Sequence, residues 1–392
     1  MRNTPYDRNI EVGFRKLLVR LGLEFSRLVP FTNSTRVFFF FPYYHVGGAE
    51  KVHAEIVRCF AEFTPLVFFT HQSKNSKFKH LFGREARLHN VWWLFKYTLP
   101  FSVGFIAGLI NRQQSPVVFG CNSRFFYKML PYLKPDARRI DLLHAFGGGG
   151  EDFSLSAVPL LDARVVINRK TIDDFRHQYA AHDLDTNFLD RIVLIENRIS
   201  VPASCPQKVS SQLQVLYVGR GSEEKRVHIA GLVATLAKNR GITAEFRFAG
   251  DVAGAIRPED RNNCMLLGEI NDPDELAKVY READVLLLCS CREGFPVVIM
   301  EAMANGVVPV TTSVGGIPEH VEDGVNGILI TEEKEDMIAL KMADALDHFA
   351  HDASALKKMS RAAHEYAKAH FAGEKYCKKY HELFFGIQGK GH

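Results

Sequence analysis

Residues 285–313 read VLLLCSCREGFPVVIMEAMANGVVPVTTS and decide the fold that the sequence predicts. An apolar strand ends in a polar loop containing a glycine, a helix is expected from about residue 297 to 305, and a second apolar strand follows. Nearly continuous apolar strands on either side of a helix are typical of a parallel sheet that is covered on both faces. The stretch therefore predicts a βαβ unit, whose ligands bind beyond the carboxyl end of the first strand.

The same alternation of apolar strands and helices extends outward from this stretch. In the second half of the chain, LQVLYVG (213–219) reads as a strand, and in the first half RVFFFFPYY (36–44) and RRIDLLHAF (138–146) do so. Between the two series lies SVPASCPQKVSS (200–211), whose proline and serine content predicts a linker. We therefore expect an α/β chain of two Rossmann-like domains with parallel sheets, facing one another across a cleft.

Three segments follow from this organisation. Residues 1–203 are predicted to form an N-terminal domain that opens with an amphipathic helix over residues 1–30. Residues 204–370 are predicted to form the second domain, and residues 371–392 a C-terminal helix that packs back on the first. The 392 residues are 46% hydrophobic and 24% charged, a composition that excludes a disordered, collagen-like or disulfide-stapled chain.

Cysteine usage and charge narrow the class further. None of the seven cysteines forms a CxxC pair, so we expect the reduced thiols of a cytosolic protein rather than a zinc ribbon. The net charge of +4 divides into +9 for residues 1–205 and −5 for residues 206–392. Basic surface suits an anionic lipid or a phosphate group. Nucleic acid is disfavoured as a partner, because the chain has no dense Lys/Arg run and no RNA-binding signature.

Two segments raise the question of a membrane. No secretory signal opens the sequence, which predicts a cytoplasmic location. Residues 91–110 approach the length of a membrane span, but Lys96 and Pro100 interrupt them, so a buried or interfacial segment is favoured over a true span. At the N-terminus, apolar residues share one helical face, so this helix either lies on the inner face of an anionic membrane or packs on the protein's own surface. The apolar positions are Ile10, Phe14, Leu17, Leu18, Leu21, Phe25 and Leu28, and the basic ones are Arg8, Arg15, Lys16, Arg20 and Arg27.

The loop and helix within residues 285–313 carry the strongest signal for chemistry. Gly294 allows the backbone to turn after Glu293, and Pro296 suits the first position of a helix. The helix N-terminus at about Val297 presents backbone N–H groups to an anion such as a phosphate. Glu301, one turn further on, could accept hydrogen bonds from sugar hydroxyls. For either glutamate alone, a favourable charge near the helix N-terminus is the structural alternative.

A second cluster, YVGRGSEEKRVHI (217–229), directly follows a predicted strand. Arg220 and Lys225 lie on its glycine- and serine-containing loop, where a guanidinium and an ammonium group can bind a diphosphate. The spacing does not match a Walker loop. A solvated loop in which Glu223 and Glu224 pair with the cations is an equal alternative.

Two further clusters fall in the first half of the chain. In YYHVGGAEKV (43–52), Gly47 and Gly48 let backbone approach a ligand at a helix N-terminus, although a plain strand-to-helix turn would look the same. In DLLHAFGGGGED (141–152), His144 ends a strand and is expected to face the crevice. The alternative is a structural histidine. The four glycines after it do not form a dinucleotide-binding fingerprint, which argues against a nicotinamide dehydrogenase.

Taken together, these motifs resemble the retaining family-four glycosyltransferases of the GT-B fold. The resemblance runs from about residue 36 to 380 and rests on EGFPVVIMEAMA, VGRGSEEKR, GGAE, the strand-end His144 and GGIPEHVEDGVNGIL. It implies transfer of a sugar from a nucleotide-sugar to an acceptor hydroxyl with retained configuration. The implied catalytic residues are Glu293, His144, Arg220 and Lys225. The implied donor-binding residues are Gly47, Gly48, Gly219, Arg220, Lys225, Leu267, Gly294, Phe295, Pro296, Val297, Val298 and Glu301.

The resemblance also implies partners. It suggests a UDP- or GDP-sugar donor, no further cofactor, and no metal, because two cations can neutralise the leaving diphosphate. The basic N-terminal domain would bind a glycan or lipid-linked acceptor in the synthesis of cell-envelope polysaccharide, lipopolysaccharide or glycolipid. A nucleotide-sugar epimerase of the same fold and an inactive glycan-binding scaffold subunit remain alternatives.

Three features depart from the pattern of the family. Arg198 stands where the family often has glycine near the domain boundary, and Arg226 stands where a glycine commonly follows the lysine of the phosphate loop. The residues before Gly47, PYYHV (42–46), are more aromatic than usual. None of these departures removes one of the implied catalytic groups.

Overall fold

The computed structural model describes residues 5–30, 35–83, 85–207, 212–373 and 375–386, and for residues 5–12 it describes the backbone. The chain divides into two compact units. Unit 1 comprises Met1–Val166, Asp174–Ile195 and Cys377–His392, and unit 2 comprises Ile167–Asp173 and Glu196–Tyr376. Each unit is built around one parallel sheet with helices on its faces.

Unit 1 contains a seven-stranded parallel sheet in the order β3-β2-β1-β4-β5-β6-β7. Its strands are β1 Val37–Phe41, β2 Leu66–Phe69, β3 Arg87–Asn90, β4 Val117–Cys121, β5 Arg138–Leu143, β6 Ala163–Val166 and β7 Ile192–Leu194. Its helices are α1 Pro5–Leu28, α2 Gly48–Arg58, α3 Trp92–Ile110, α4 Arg124–Met129, α5 Gly150–Ser154, most of α6 Arg169–Ala181, and α12 Tyr376–Phe385 from Cys377 onward. The fully buried phenylalanine run of β1 explains why this strand reads as continuously apolar.

Unit 2 contains a six-stranded parallel sheet in the order β10-β9-β8-β11-β12-β13. Its strands are β8 Leu213–Val218, β9 Ala244–Ala249, β10 Met265–Gly268, β11 Val285–Leu288, β12 Val308–Thr312 and β13 Ile328–Ile330. Its helices are α7 Val227–Asn239, α8 Pro273–Glu282, α9 Val297–Ala304, α10 Glu335–His351 and α11 Ala353–His370. The order of strands in both sheets is that of the doubly wound Rossmann fold. The prediction of two Rossmann-like domains with parallel sheets is therefore confirmed.

The helix predicted for residues 1–30 is α1, which packs along α3. The side chains of Arg8 and Ile10 lie outside the described residues. By length and composition alone, α3 is long enough to cross a membrane, with a mean hydropathy of 1.4, and 44% of it is buried within the protein. Its C-terminal half lies in the core beside β1 and β4, and the helix is kinked at Thr98, two residues before Pro100.

In the C-terminal region, α11 ends at His370 and α12 begins at Tyr376, and Gly373 adopts a positive φ of 43° in the segment between them. The expectation of reduced thiols fails for Cys59 and Cys377, which form a disulfide. Packing of α12 on the sheet of unit 1 brings these two cysteines to a Cα–Cα distance of 5.2 Å, and no local spacing reveals a pair 318 residues apart.

Candidate active site

The sheet of unit 2 positions the predicted cations and Glu293 next to one another. Strands β8 and β11 are neighbours, and the strand order reverses between them. In a doubly wound sheet, the crevice at this point is where ligands bind. Arg220 and Lys225 lie in the loop that follows β8, and Glu293 lies in the loop that follows β11. The structure thus brings three residues of the sequence prediction to one end of one sheet.

Lys225 and Glu293 form an ion pair. The Nζ atom of Lys225 lies 2.5 Å from Oε1 of Glu293, and both side chains are largely shielded from solvent, with exposed fractions of 17% and 9%. A charge pair in such surroundings is screened less than one at the surface. Arg220, in contrast, is exposed and lies 3.9 Å from Glu224. Its guanidinium is therefore available to a ligand at the cost of a weak ion pair.

Arg226 links the two loops that carry these groups. Its Nε donates to the carbonyl oxygen of Cys289 at 2.7 Å, and its guanidinium also donates to the carbonyl oxygen of Ser290. The backbone N–H of Cys291 donates in turn to the carbonyl oxygen of Glu224. Arg226 adopts a left-handed conformation with φ of 46°, the region that glycine adopts without strain. Arginine at this position is therefore less favourable than glycine for the left-handed backbone conformation, but its side chain forms two hydrogen bonds that hold the loops together.

Two more of the predicted donor-binding residues, Gly219 and Leu267, lie near the carboxyl ends of β8 and β10 in the same sheet. The N–H of Gly219 donates to the carbonyl oxygen of Ala249, and the N–H of Gly250 donates to that of Gly268 at 2.7 Å. These bonds tie together the carboxyl ends of β8, β9 and β10. Leu267, which is half-buried near the end of β10, therefore lies on the same edge of the sheet as Gly219.

Sequence reasoning assigned no role to Gly315 and Gly316, which the structure places against the Glu293 loop. The N–H of Gly316 donates to the carbonyl oxygen of Gly294 at 2.6 Å. Gly315 has φ of 58°, and a Cβ atom there would lie 1.9 Å from the carbonyl oxygen of Glu293. Only glycine permits this approach. A glycine pair directly after a predicted strand was the signal in the sequence that could have identified the contact.

The N-terminus of α9 lies directly after this loop, as predicted, with two corrections. Pro296 is the cap residue rather than the first helical residue, since α9 begins at Val297. Phe295 is buried, with its ring 4.2 Å from that of His320, so its side chain belongs to the core and only its backbone can face a ligand. Val297 and Val298 are half-buried, and the first N–H groups of a helix have no partner within it.

Glu301 is half-buried on α9, and its orientation is set by a neighbouring helix. The hydroxyl of Tyr280 on α8 donates to Oε2 of Glu301 at 2.9 Å. Burial, together with the charge of Glu301, raises the pKa of Tyr280 well above its usual range, so the hydroxyl keeps its proton. Tyr280 is a residue that sequence reasoning missed, because it lies on a separate helix 21 residues away.

His144 directly follows β5 in unit 1, as predicted. Its Nε2 atom lies 2.9 Å from Nε2 of His53, a buried residue of α2. Burial lowers the pKa of His144 to about 4, and burial followed by the proximity of His144 lowers the pKa of His53. Both rings are therefore neutral near pH 7. His53 was not identified from the sequence, since a lone histidine within a helix carries no motif.

Gly47 and Gly48 lie at the N-terminus of α2, where Gly47 is the cap residue. A Cβ atom on Gly47 would lie 2.1 Å from Oε2 of Glu50. The carboxylate of Glu50 also lies 3.5 Å from Nε2 of His45. The space that glycine provides at position 47 is thus taken by a side chain of the same helix, which supports the alternative of a structural turn at this position.

Within the described residues, one group of side chains has the composition of a metal site. His53, Cys121 and His144 place a ligand atom each within 4.8 Å of one another. Burial raises the pKa of Cys121 well above its usual range, which disfavours the thiolate that a metal would need. Gly47, Gly48 and His144 belong to unit 1, and all the other predicted site residues belong to unit 2.

Most of unit 2 matches the model of a known protein family. Residues 206–370 match the model of the family "Glycosyl transferases group 1". These residues are therefore similar to the group 1 glycosyltransferases, and the two parallel-sheet α/β units confirm the predicted GT-B fold class.

Individual relatives are consistent with this assignment. The chain is 33% identical over 132 residues to the amylovoran biosynthesis glycosyltransferase AmsK of Erwinia amylovora, covering 31% of this chain and 32% of that protein. The chain spans about a third of the length of the first curated relatives that it matches.

Two solved structures share the fold. HepE of Anabaena, crystallised with UDP, has a TM-score of 0.68 at 18% identity, covering 89% of this chain and 99% of that one. TarM of S. aureus, crystallised as a point mutant with fondaparinux, alpha-GlcNAc-glycerol and UDP, has a TM-score of 0.61 at 18% identity, covering 74% of this chain and 59% of that one.

Proposed function

We propose that this protein is a retaining, metal-independent glycosyltransferase that moves a sugar from a nucleoside-diphosphate sugar to a hydroxyl of a glycan acceptor. The observation that carries the proposal is the Lys225–Glu293 ion pair at the point where the strand order of unit 2 reverses. At this point the cation can bind the diphosphate of a sugar diphosphate, and the carboxylate can accept hydrogen bonds from hydroxyls of the sugar. The match of residues 206–370 to the group 1 family supports it.

Charge develops on the diphosphate as the bond to the sugar breaks. Lys225 and the exposed guanidinium of Arg220 supply positive charge for the phosphate oxygens, and the N–H groups at the start of α9 supply further donors. Stabilisation of charge where it develops is the largest contribution that such a site makes to the rate. Two cations and a helix N-terminus perform the task for which other enzymes use a metal ion.

The carboxylates serve the sugars. Glu293, which forms an ion pair with Lys225, accepts hydrogen bonds from hydroxyls of the transferred sugar. Glu301, oriented by Tyr280, accepts them from the ribose of the nucleotide. His144, neutral and half-buried, supports the transferred sugar. We assign no covalent nucleophile: the bond from the anomeric carbon to the diphosphate breaks as the acceptor oxygen bonds to that carbon on the same face, and the departing phosphate takes the proton of the acceptor hydroxyl.

The donor and acceptor classes rest on relatives. HepE was crystallised with UDP and with UDP-glucose, which favours a UDP-sugar over a GDP-sugar here. AmsK is named for the biosynthesis of amylovoran, which favours a cell-envelope polysaccharide as the product. The proposed place of synthesis is the cytoplasmic side of the membrane. Thermal shift against UDP, GDP and ADP tests the nucleotide, since a ligand that binds only the folded protein raises Tm.

Transfer assays on two variants test the proposed roles. Glu293→Gln and Lys225→Met are expected to lower kcat by about a hundredfold each, within the range for loss of one electrostatic contact in a transition state. Arg240→Gln is the matched control, because Arg240 forms an ion pair with Asp344 at the surface of the same unit. Near-normal turnover in both site variants, with an active wild type, would remove the assignment.

A further inference from the structure

Helix α1 exposes a row of large apolar side chains along one face. Phe14, Leu17, Leu21, Phe25 and Leu28 are between 48% and 77% exposed. Their spacing of three or four residues places them on one side of the helix. These five residues make up most of the large exposed hydrophobic side chains in the described part of unit 1. We call them the α1 stripe.

Helix α1 has a packing partner on the side opposite the stripe. The other side of α1 is pressed against α3, so closely that a Cβ atom on Gly22 would meet the carbonyl oxygen of Phe101 at 2.1 Å. A Cβ atom on Gly104 would meet the carbonyl oxygen of Val19 at 1.9 Å. Leu18, one of the seven apolar positions in the sequence pattern, is half-buried. One side of α1 therefore packs on the protein's own surface, which is one of the two alternatives from the sequence, and the α1 stripe lies on the other side.

Helix α3 extends the apolar surface. The ring of Phe25 lies 5.8 Å from that of Phe101 and 6.0 Å from that of Phe105, so the α1 stripe continues onto α3. At the N-terminal end of α3, Trp93 and Tyr97 are 55% and 72% exposed. Exposed Trp and Tyr beside apolar side chains are typical of surfaces that lie at the level of lipid headgroups.

Cationic residues border the stripe. Lys16 and Arg20 are exposed and lie on the side of α1 between the stripe and the face that contacts α3. Arg27 is exposed as well and pairs with Glu24 through an ion pair between surface side chains. The described side chains of α1 thus carry four basic groups and one acidic group, counting Arg15. A basic flank beside an apolar face complements anionic lipid, whereas two copies of this surface would bring like charges together.

We propose that the α1 stripe, with the adjoining surface of α3, docks unit 1 on an anionic lipid bilayer. The apolar side chains enter the boundary between headgroups and acyl chains, while Lys16 and Arg20 remain at the level of the lipid phosphates. The contact is peripheral, because the C-terminal half of α3 is occupied in the protein core. This inference depends on the surface alone and not on the proposed transfer activity.

Vesicle flotation of the full-length protein tests the proposal. Wild type is expected to float with phosphatidylcholine vesicles that contain about one third phosphatidylglycerol, and to float less with phosphatidylcholine alone. Leu17→Ser combined with Leu21→Ser is expected to lower the partition coefficient by at least about tenfold, because two buried leucines are lost from the bilayer. Val325→Ser combined with Met337→Ser is the matched control, since these apolar residues are exposed in unit 2. Thermal unfolding checks that all variants fold.

The contribution of positive charge to vesicle binding is tested with Lys16→Gln combined with Arg20→Gln. Each removed charge is expected to weaken binding to the anionic vesicles by about fivefold, with no change on neutral vesicles. Equal flotation of the Leu17/Leu21 variant and wild type would overturn the proposal. Failure of the wild type to float would also overturn it. So would retention of the wild type in the membrane after alkaline carbonate extraction, because this indicates a membrane span. A wild-type dimer that becomes a monomer in the Leu17/Leu21 variant, but not in the control, would assign the stripe to self-association instead.

Discussion

The Nε2 atoms of His53 and His144 lie 2.9 Å apart, so the N–H group of one imidazole ring donates a hydrogen bond to the nitrogen of the other. A neutral ring carries one N–H, and therefore the two rings hold different tautomers. The ring of His53 is fixed by stacking on Phe41, with 4.1 Å between the ring centroids. His53 thereby determines the orientation of His144, the residue to which the proposed mechanism gives a contact with the transferred sugar.

His53→Phe should lower kcat by about tenfold while leaving UDP affinity unchanged. Phenylalanine keeps the stacking on Phe41 but cannot bond to His144, whose ring then loses its fixed tautomer. The residues proposed to contact the nucleotide through its diphosphate and ribose, Arg220, Lys225 and Glu301, belong to unit 2, so titration calorimetry with UDP should give the wild-type Kd. His53→Gln restores a hydrogen-bonding side chain and should recover part of the activity. A loss of UDP binding in the phenylalanine variant would indicate a purely structural role.

The same pair predicts how stability depends on pH. The pKa of His144 is about 4 in the folded protein and about 6.5 in an unfolded chain, and the pKa of His53 is lowered in the same direction. Below about pH 6.5 these histidines therefore bind protons in the unfolded state but not in the folded state. Because the unfolded state binds more protons, the free energy of unfolding falls as the pH is lowered toward 4. Urea unfolding between about pH 7 and pH 5 should show this slope. The slope should be smaller in His53→Phe; an unchanged slope contradicts the prediction.

Gly315→Ala should disrupt the site, whereas Gly324→Ala should not. Both glycines have positive φ, 58° and 72°, so both substitutions strain the backbone at a cost of about 1 kcal/mol. A Cβ atom on residue 315 would in addition collide with the carbonyl oxygen of Glu293, while position 324 has open space. We expect at least an about tenfold lower kcat only for Gly315→Ala. Equal activities of the two variants, measured with both folded, would show that the contact is dispensable.

Tyr280→Phe should raise the KM for the donor by about three- to tenfold with little change in kcat. The tyrosine hydroxyl orients Glu301 by a hydrogen bond of 2.9 Å, and the net contribution of such a bond is about 1 kcal/mol. Because Glu301 is proposed to hold the ribose, its misplacement weakens donor binding rather than the chemical step. Tyr179→Phe is a suitable control, since Tyr179 is equally buried and its hydroxyl accepts a hydrogen bond from Arg164 within unit 1. A matching KM change there would contradict a specific role for Tyr280.

Removal of the disulfide should lower stability under oxidising conditions only. Cys377→Ser is expected to reduce the free energy of unfolding by about 2–5 kcal/mol, because the bond between Cys59 and Cys377 closes a very long loop of the unfolded chain. Cys291→Ser, at an exposed free cysteine, is the control and should leave Tm unchanged. In excess dithiothreitol, wild type and Cys377→Ser should unfold alike. A persistent difference there would mean that the serine itself perturbs the packing of α12.

Much of unit 2 could be predicted from its sequence. The helix expected from about residue 297 to 305 is α9, and the strand expected at 213–219 is β8. Placement of Glu293, Arg220 and Lys225 near one another required only the rule that parallel strands end at the same edge of a sheet. The prediction for Phe295 was less successful, because a motif gives the position of a residue in a loop but not the direction in which its side chain points.

The sequence by itself determined the two series of parallel strands, the loops that carry the cations and carboxylates, and the similarity of residues 206–370 to the group 1 glycosyltransferases, since these depend on periodicity and on motifs within short windows. Only the tertiary structure decided the contacts between His53 and His144, between Gly315 and Glu293, and between Cys59 and Cys377. It also decided which side of α1 is buried against α3 and which remains exposed. These contacts join residues far apart in the chain, and their partners are selected by packing of whole helices and strands, which no local pattern of residues encodes.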